Sequence, residues 1–279
     1  MERFAEFESG GETVRGVLHC PDTAQDGSRA GIVFLHGWSG CRLGPHRMFV
    51  KAARRFAQEG FYCLRIDFRG RGESGGITPA VTIPDMIEDT GRAASYLASE
   101  TDCGGVILLG ICSGSKAAIG AAVRGTRAGA LVLWSPEAMG RLKSHSAGAR
   151  KTAGAFAAYL RKFKDPAAWR KLLLGRVNAR LVGKALLGHE SAGREETEAE
   201  SVLIDRFRSY PGKILLVTGA GDSETKRAGR AYRDFCTRER IDHQLNEIPE
   251  AGHSFYSLEC EREVIELTSG WILNLSRDS

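Results

Sequence analysis

The chain has 279 residues, of which 42% are hydrophobic and 26% charged, and its formal net charge is +5. This length suits one large α/β domain or two smaller domains, and the composition excludes fibrous and disordered classes. No apolar run reaches the roughly 20 residues of a membrane span, and the acidic residues 1–8 do not form a signal peptide. We therefore expect a soluble, cytoplasmic protein.

The seven cysteines are an odd number and show no Cys-x-x-Cys spacing. Such a set predicts neither a disulfide framework nor a zinc site, because both need paired cysteines. We expect most of the cysteines to be inert packing residues, and we expect no metal and no cofactor.

The first part of the chain alternates apolar runs with amphipathic segments. It predicts an opening β-hairpin of residues 4–8 and 13–19, strands over 31–36, 61–66 and 105–109, and helices over 45–58 and 84–98. A glycine-rich loop covers residues 67–76, in which Asp67, Arg69 and Ser74 can satisfy backbone groups. We interpret this loop as scaffolding around a site.

The second part resumes the alternation after one long interruption. It predicts helices over 113–123, 225–238 and 261–274, and strands over 130–134, 213–218 and 243–248. Residues 137–208 are basic, helical in composition and without a strand signal, which indicates an inserted helical cap. The predicted core is therefore residues 1–136 and 209–279, and its alternating strands and helices imply a mostly parallel sheet.

A tight turn is predicted between the strand over 105–109 and the helix over 113–123. Gly110 and Gly114 flank Cys112 there, in the pattern Gly-x-Cys-x-Gly. Glycines at these positions relieve crowding around a strained central residue, whose side chain is then held above the sheet. The helix that follows would favour a thiolate, because its first N–H groups are unpaired. The alternative is a small buried cysteine without a chemical role.

Two serines near this turn could also be considered as the nucleophile. If Ser113 were the central residue, Ile111 and Ser115 would occupy the glycine positions. A β-branched side chain does not suit a position that needs no side chain. The glycine spacing therefore selects Cys112.

A second signal follows the predicted strand over 31–36. His36 and Gly37 end this strand and are followed by Trp38 and further small residues. Hydrolases with this turn place an oxyanion-hole donor at the residue after the glycine, here the backbone N–H of Trp38. The alternative is an ordinary glycine turn.

Five short motifs occur in an order that resembles the α/β-hydrolase superfamily, in its serine aminopeptidase-like and acylglycerol-lipase-like branch. They are His36–Gly40, Asp67–Ser74, Gly110–Gly114, Gly219–Asp222 and Ala251–Phe255. The resemblance covers nearly the whole chain. It implies an α/β-hydrolase fold, in which helices flank a mostly parallel, eight-stranded sheet and a helical cap is inserted.

The resemblance also implies a catalytic triad. The family's order of nucleophile, acid and histidine gives Cys112, Asp222 and His253, with the backbone N–H groups of Trp38 and Ser113 as the oxyanion hole. The alternatives are a turn aspartate and a loop histidine that only cap the backbone. Glu224 lies close enough in sequence to replace Asp222 as the acid.

The cysteine departs from the serine that is usual in this superfamily. Among the relatives, dienelactone hydrolases and polyhydroxyalkanoate synthases also carry cysteine in the elbow, so the resemblance covers both hydrolysis and acyl transfer. We expect a hydrolase that cleaves an ester or thioester through an acyl-cysteine intermediate. An acyltransferase with the same intermediate and a non-catalytic ligand-binding homologue are the alternatives.

The positive charge is unevenly placed, and much of it lies in the predicted cap. Between Ala138 and Glu190 the basic residues are Arg141, Lys143, Arg150, Lys151, Arg161, Lys162, Lys164, Arg170, Lys171, Arg176, Arg180 and Lys184, against Asp165 and Glu190. A solvated helical face explains such a run by default. Alternatively, a positive cap would attract a small anionic or carrier-bound acyl substrate. No nucleic-acid-binding motif accompanies these charges, so we expect no nucleic-acid partner.

Overall fold

The computed structural model describes residues 1–22, 29–78, 81–142 and 199–275. Contacts divide the chain into two units, one of Met1–Ala138 with Arg206–Ser279 and one of Met139–Asp205. In the second unit the described residues form a short 3₁₀ turn, Gly140–Leu142, and a helical stretch from residue 199. The predicted cap, residues 137–208, lies mostly outside the described residues, so its helical structure and its basic surface remain predictions.

One eight-stranded sheet organises the first unit. Its strands are β1 (Glu2–Ser9), β2 (Glu12–His19), β3 (Gly31–Leu35), β4 (Cys63–Ile66), β5 (Val106–Ile111), β6 (Ala128–Trp134), β7 (Lys213–Gly219) and β8 (His243–Ile248). Their spatial order is β1-β2-β4-β3-β5-β6-β7-β8. Only the β1–β2 and β2–β4 pairs are antiparallel. The predicted mostly parallel sheet is thus confirmed.

Helices flank this sheet. They are α1 (Met48–Gln58), α2 (Ile83–Glu100), α3 (Ser113–Val123), α4 (Ser223–Glu239) and α5 (Leu258–Leu275), and residues 199–207 are also helical. The Thr82 side chain caps α2 in a box with Asp85, which satisfies backbone N–H groups at the start of that helix. No helix among the described residues is both long and apolar enough to cross a membrane.

The start of α1 corrects one prediction. The sequence predicts this helix from Pro45, but Pro45–Arg47 form a separate 3₁₀ turn. His46 and Arg47 have φ angles of 49° and 64°, in the left-handed region. Because a right-handed helix cannot continue through such residues, α1 begins at Met48.

Burial of apolar side chains stabilises the central strands of the sheet. All residues of β3 and β5 are buried, and each buried aliphatic side chain contributes about 1.5–3 kcal/mol. On one face of the sheet, Phe49 of α1 and Val264 of α5 belong to the same apolar cluster as Trp134. The Trp134 indole donates a hydrogen bond to the hydroxyl of Thr268 at 3.0 Å, so its polar atom is also satisfied.

The parallel strands place a set of polar residues at one edge of the sheet. Because β3 to β8 run in the same direction, their carboxyl ends meet there. The residues that follow these ends are Trp38, Asp67, Cys112, Glu137, Asp222 and His253.

Candidate active site

Cys112 lies in a strained turn between β5 and α3. Its φ and ψ angles are 57° and −125°, which non-glycine residues rarely adopt. The flanking glycines are required by close approaches. A Cβ atom on Gly114 would lie 2.1 Å from the Leu35 carbonyl oxygen, and one on Gly110 would lie 2.4 Å from the Gly114 oxygen. The packed strand and helix therefore hold Cys112 in this conformation.

The Cys112 thiol is hydrogen-bonded to a carboxylate that the sequence analysis missed. Its Sγ donates to Glu137 Oε1 at 3.1 Å. The second carboxylate oxygen of Glu137 pairs with Lys116 Nζ at 3.2 Å, and the Glu137 carbonyl accepts a hydrogen bond from the Tyr232 hydroxyl at 2.9 Å. The sequence signal for Glu137 is weak: it is a carboxylate that follows the end of the predicted strand over 130–134.

The environment of Cys112 favours the neutral thiol. Burial, together with the charge and the hydrogen bond of the nearby Glu137 carboxylate, raises the pKa of Cys112 to about 12. Hydrogen bonds from the backbone and hydroxyl of Ser113 lower the pKa by less. The expectation of a thiolate at the start of α3 is therefore wrong for this arrangement, because burial and a like charge outweigh the helix terminus.

His253 and Asp222 form the second part of the site. His253 Nδ1 and Asp222 Oδ2 are 2.8 Å apart. Asp222 also caps α4, since its Oδ1 accepts hydrogen bonds from the backbone N–H groups of Glu224 and Thr225. Burial opposes ionisation of Asp222, but the hydrogen bonds from His253 and Thr225 outweigh it and lower its pKa. The ionised carboxylate can fix the imidazole tautomer.

The three predicted triad residues are divided between two hydrogen-bonded pairs, one of which includes Glu137. Among the hydrogen bonds of the described residues, Cys112 pairs with Glu137, and His253 pairs with Asp222. None of these bonds joins the thiol to His253. All four residues follow parallel strands at the same edge of the sheet. A reaction that uses the thiol and the imidazole together therefore needs the thiol to leave Glu137.

The two residues predicted for the oxyanion hole also meet. The Trp38 backbone N–H donates a hydrogen bond to the Ser113 hydroxyl oxygen at 2.6 Å. A Cβ atom on Gly37 would lie 3.2 Å from the Cys112 Cβ, so the chain before Trp38 packs closely against the elbow. A substrate carbonyl oxygen that uses the Trp38 N–H must replace the Ser113 hydroxyl.

The loop after β4 supports the site through buried charges. Asp67 is fully buried and accepts hydrogen bonds from the backbone N–H groups of Arg42 and Glu73. Arg69 pairs with the buried Asp89 at 2.6 Å. These contacts confirm that Asp67 and Arg69 act as scaffolding.

The residues at this edge of the sheet carry the groups of a nucleophilic mechanism. Their side chains supply a thiol and an imidazole with its carboxylate, and their backbones supply N–H donors. No group of three or more His, Cys, Asp or Glu residues within the described part of the chain could hold a metal ion.

Comparison with solved structures shows the same fold in several enzymes. A dienelactone hydrolase from Anabaena variabilis matches with a TM-score of 0.65 and 16% identity, over 98% of this chain and 97% of that chain. A proline iminopeptidase from Mycobacterium smegmatis matches with a TM-score of 0.63 and 17% identity, over 99% of both chains. A haloalkane dehalogenase from Bradyrhizobium elkani gives a TM-score of 0.63 and 17% identity, over 100% of both chains. At these identities the similarity concerns the fold alone.

Sequence comparison identifies the family. No curated protein sequence matches this chain. The model of the alpha/beta hydrolase family matches residues 32–267, which include the Cys112 elbow, Asp222 and His253. This match covers most of the chain and agrees with the observed sheet. The chain therefore belongs to the alpha/beta hydrolase family.

Proposed function

We propose that this protein is a hydrolase that cleaves carboxylic esters or thioesters through an acyl-Cys112 intermediate. One observation carries the proposal: a cysteine in the strained elbow shares an edge of the sheet with the hydrogen-bonded pair His253 and Asp222. Membership of the alpha/beta hydrolase family supports hydrolase activity in general. The acyl-cysteine chemistry is our inference from the side chains.

The first half of the proposed reaction forms a thioester. The Cys112 thiol turns from Glu137 to His253, which takes its proton as the sulfur attacks the acyl carbonyl carbon. The Ser113 hydroxyl moves aside, and the backbone N–H groups of Trp38 and Ser113 bind the oxyanion. The tetrahedral intermediate then collapses, and His253 gives the proton to the departing alcohol or thiol.

The second half hydrolyses the thioester. Water gives a proton to His253 and attacks the acyl carbon, and the same backbone N–H groups bind the second oxyanion. Collapse breaks the carbon–sulfur bond, releases the carboxylic acid, and returns the proton from His253 to the Cys112 sulfur. Asp222 stabilises the imidazolium in both halves.

The test is intact-protein mass spectrometry after brief exposure to p-nitrophenyl acetate, together with release of p-nitrophenol. Wild type is compared with Cys112→Ala and with Cys41→Ala, a control that removes another partly exposed cysteine. We expect an acetyl adduct that forms and disappears in wild type and in Cys41→Ala. We expect no adduct and no specific release in Cys112→Ala. An adduct that persists in Cys112→Ala would contradict the proposal.

A non-catalytic, ligand-binding homologue is the second candidate. It is favoured by the high pKa of Cys112, raised to about 12, and by the pairing of the thiol with Glu137. A wild-type protein that forms no adduct with p-nitrophenyl acetate or with thioester probes, while binding an acyl ligand, would support this candidate. Turnover that depends on Cys112 would reject it.

The acyl acceptor separates hydrolysis from acyl transfer. Both reactions share the acyl-Cys112 intermediate and differ only in whether water or another nucleophile attacks it. Deacylation is therefore followed with and without an added alcohol or amine. We expect acetate as the product in both cases, whereas an ester or amide product would identify an acyltransferase.

The basic composition of residues 137–208 supports an anionic or carrier-bound substrate. Positive charge near a site accelerates encounter with an anion, and added salt screens this effect. We expect kcat/KM for a carboxylate-bearing ester to fall as salt is added, and kcat/KM for a neutral ester to stay constant. Equal salt dependence of the two substrates would contradict a substrate-steering role.

A further inference from the structure

Arg71 contacts Trp38 at two places. Arg71 Nε donates a hydrogen bond to the Trp38 carbonyl oxygen at 2.6 Å. The Arg71 guanidinium also lies over the Trp38 indole ring, 5.1 Å from its centroid. The Trp38 N–H is held from the other side by the Ser113 hydroxyl. The backbone and the ring of Trp38 are thus both fixed by Arg71.

Arg71 is itself held in place by the loop after β4. Its second guanidinium nitrogen, Nη1, donates hydrogen bonds to the carbonyl oxygens of Gly70 and Thr78 at 3.3 and 3.1 Å. These contacts orient the guanidinium plane against Trp38. The position of the Trp38 backbone therefore depends on a planar group with several donors, which lysine cannot reproduce.

The charge of Arg71 distinguishes it from its neighbours in the same loop region. Arg42 and Arg69 pair with the buried carboxylates Asp67 and Asp89. Arg71 is only 9% exposed, and no carboxylate among the described residues pairs with it. A buried cation without an anionic partner is costly to maintain, and burial lowers the pKa of Arg71. The side-chain hydrogen bonds of Arg71 go to backbone carbonyl oxygens, among them that of Trp38.

We propose that Arg71 is a positioning residue for the oxyanion hole, which rests on the proposed function of Cys112. Arg71 keeps the Trp38 N–H directed at the elbow when the Ser113 hydroxyl leaves, and its positive charge favours negative charge developing nearby. Loss of Arg71 therefore weakens binding of the transition state more than binding of the substrate.

The experiment compares Arg71→Ala and Arg71→Lys with wild type in the full chain. Arg69→Lys is the control, because it disturbs a buried arginine of the same loop that does not contact Trp38. We expect kcat with p-nitrophenyl acetate to fall about tenfold to a hundredfold in Arg71→Ala with KM changed less than about twofold. We expect kcat of Arg71→Lys to stay close to that of Arg71→Ala, because lysine lacks the planar set of donors of the guanidinium group. Added guanidinium ion at low concentration is expected to restore part of the Arg71→Ala activity.

A second measurement does not depend on turnover. Hydrogen exchange of the Trp38 backbone amide, followed by NMR, is expected to become faster in Arg71→Ala and to stay unchanged in Arg69→Lys. Unchanged exchange of the Trp38 amide in Arg71→Ala would overturn the inference. The inference would also fail if kcat fell in proportion to the free energy of unfolding in Arg71→Ala and in Arg69→Lys alike. If wild type forms no acyl adduct on Cys112, the proposed function fails, and exchange of the Trp38 amide still decides whether Arg71 positions Trp38.

Discussion

The Cys112 thiol donates its hydrogen bond to Glu137 across 3.1 Å, whereas His253 pairs with Asp222. The two carboxylates therefore have different roles in the proposed chemistry. Glu137 favours the protonated thiol, whereas Asp222 orients the imidazole through its hydrogen bond. The resting site thus keeps its nucleophile neutral until the thiol leaves Glu137.

Replacing Glu137 by glutamine should make the thiol more acidic. The carboxylate raises the pKa of Cys112 by its charge and by its hydrogen bond. The neutral amide removes the charge, and its NH2 group can donate a hydrogen bond to the thiolate. The substitution also breaks the ion pair between Lys116 and Glu137. We expect alkylation of Cys112 by iodoacetamide at pH 8 to accelerate at least about tenfold.

Lys116→Met is the matched variant for this experiment. It removes the cation paired with Glu137 and leaves the carboxylate beside the thiol. Alkylation of Cys112 should then become slower than in wild type. Equal alkylation rates in all three proteins would show that Glu137 does not control the thiol.

Asp222→Asn should reduce turnover without unfolding the protein. An amide cannot stabilise the imidazolium, so we expect kcat to fall about a hundredfold to ten-thousandfold. Asparagine still caps a helix well, so the free energy of unfolding should change by less than about 1 kcal/mol. Glu224→Gln is the control and should retain activity. If Glu224→Gln lost activity and Asp222→Asn did not, Glu224 would be the acid.

The glycine of the elbow can be tested by stability alone. Gly114→Ala places a Cβ atom 2.1 Å from the Leu35 carbonyl oxygen, so strand and helix must separate. We expect a loss of more than about 3 kcal/mol in the free energy of unfolding. In Gly129→Ala the added Cβ meets no atom within 4 Å. Urea unfolding of this control should stay within about 1 kcal/mol of wild type, and similar losses in both variants would contradict the packing argument.

Buried His19 predicts a loss of stability in mild acid. Burial and the neighbouring Arg65 lower the pKa of His19 to about 4, and Arg65 Nε donates a hydrogen bond to His19 Nε2 at 2.8 Å. The unfolded chain binds this proton near pH 6.5. The neutral His19 therefore contributes its full share to the free energy of unfolding above about pH 6.5, and this share is lost as the pH falls towards 4. At pH 5 the loss is about 1–2 kcal/mol.

The variant His19→Gln keeps a hydrogen-bond acceptor and removes the titration. We expect its urea-unfolding free energy to change less between pH 7 and pH 5 than that of wild type. Burial lowers the pKa of His36 to about 4 as well, and His36 titrates in both proteins, so the difference reports on His19. An identical pH dependence of the two proteins would contradict the prediction.

Much of the fold followed from local sequence patterns. The apolar run before Cys112 predicted a fully buried strand, and the glycines around it predicted the tight turn that the φ angle of 57° confirms. The motif order predicted that Asp222 and His253 would meet, and they lie 2.8 Å apart. The alternation of strands and helices predicted the parallel sheet. The inserted cap and the roles of the site residues stay predictions.

The tertiary structure decided the partners of the reactive groups. Pairing of β5 with β6 brings Glu137 to Cys112, although 25 residues separate them. Burial then raised the thiol pKa against the helix terminus, and Arg71 reached Trp38 from a loop 33 residues away. The sequence by itself determined which segments are buried and where the chain turns, because these depend on near neighbours. Which side chains share a charge or a hydrogen bond depends on strand order and on exclusion of water, and only the folded chain sets these.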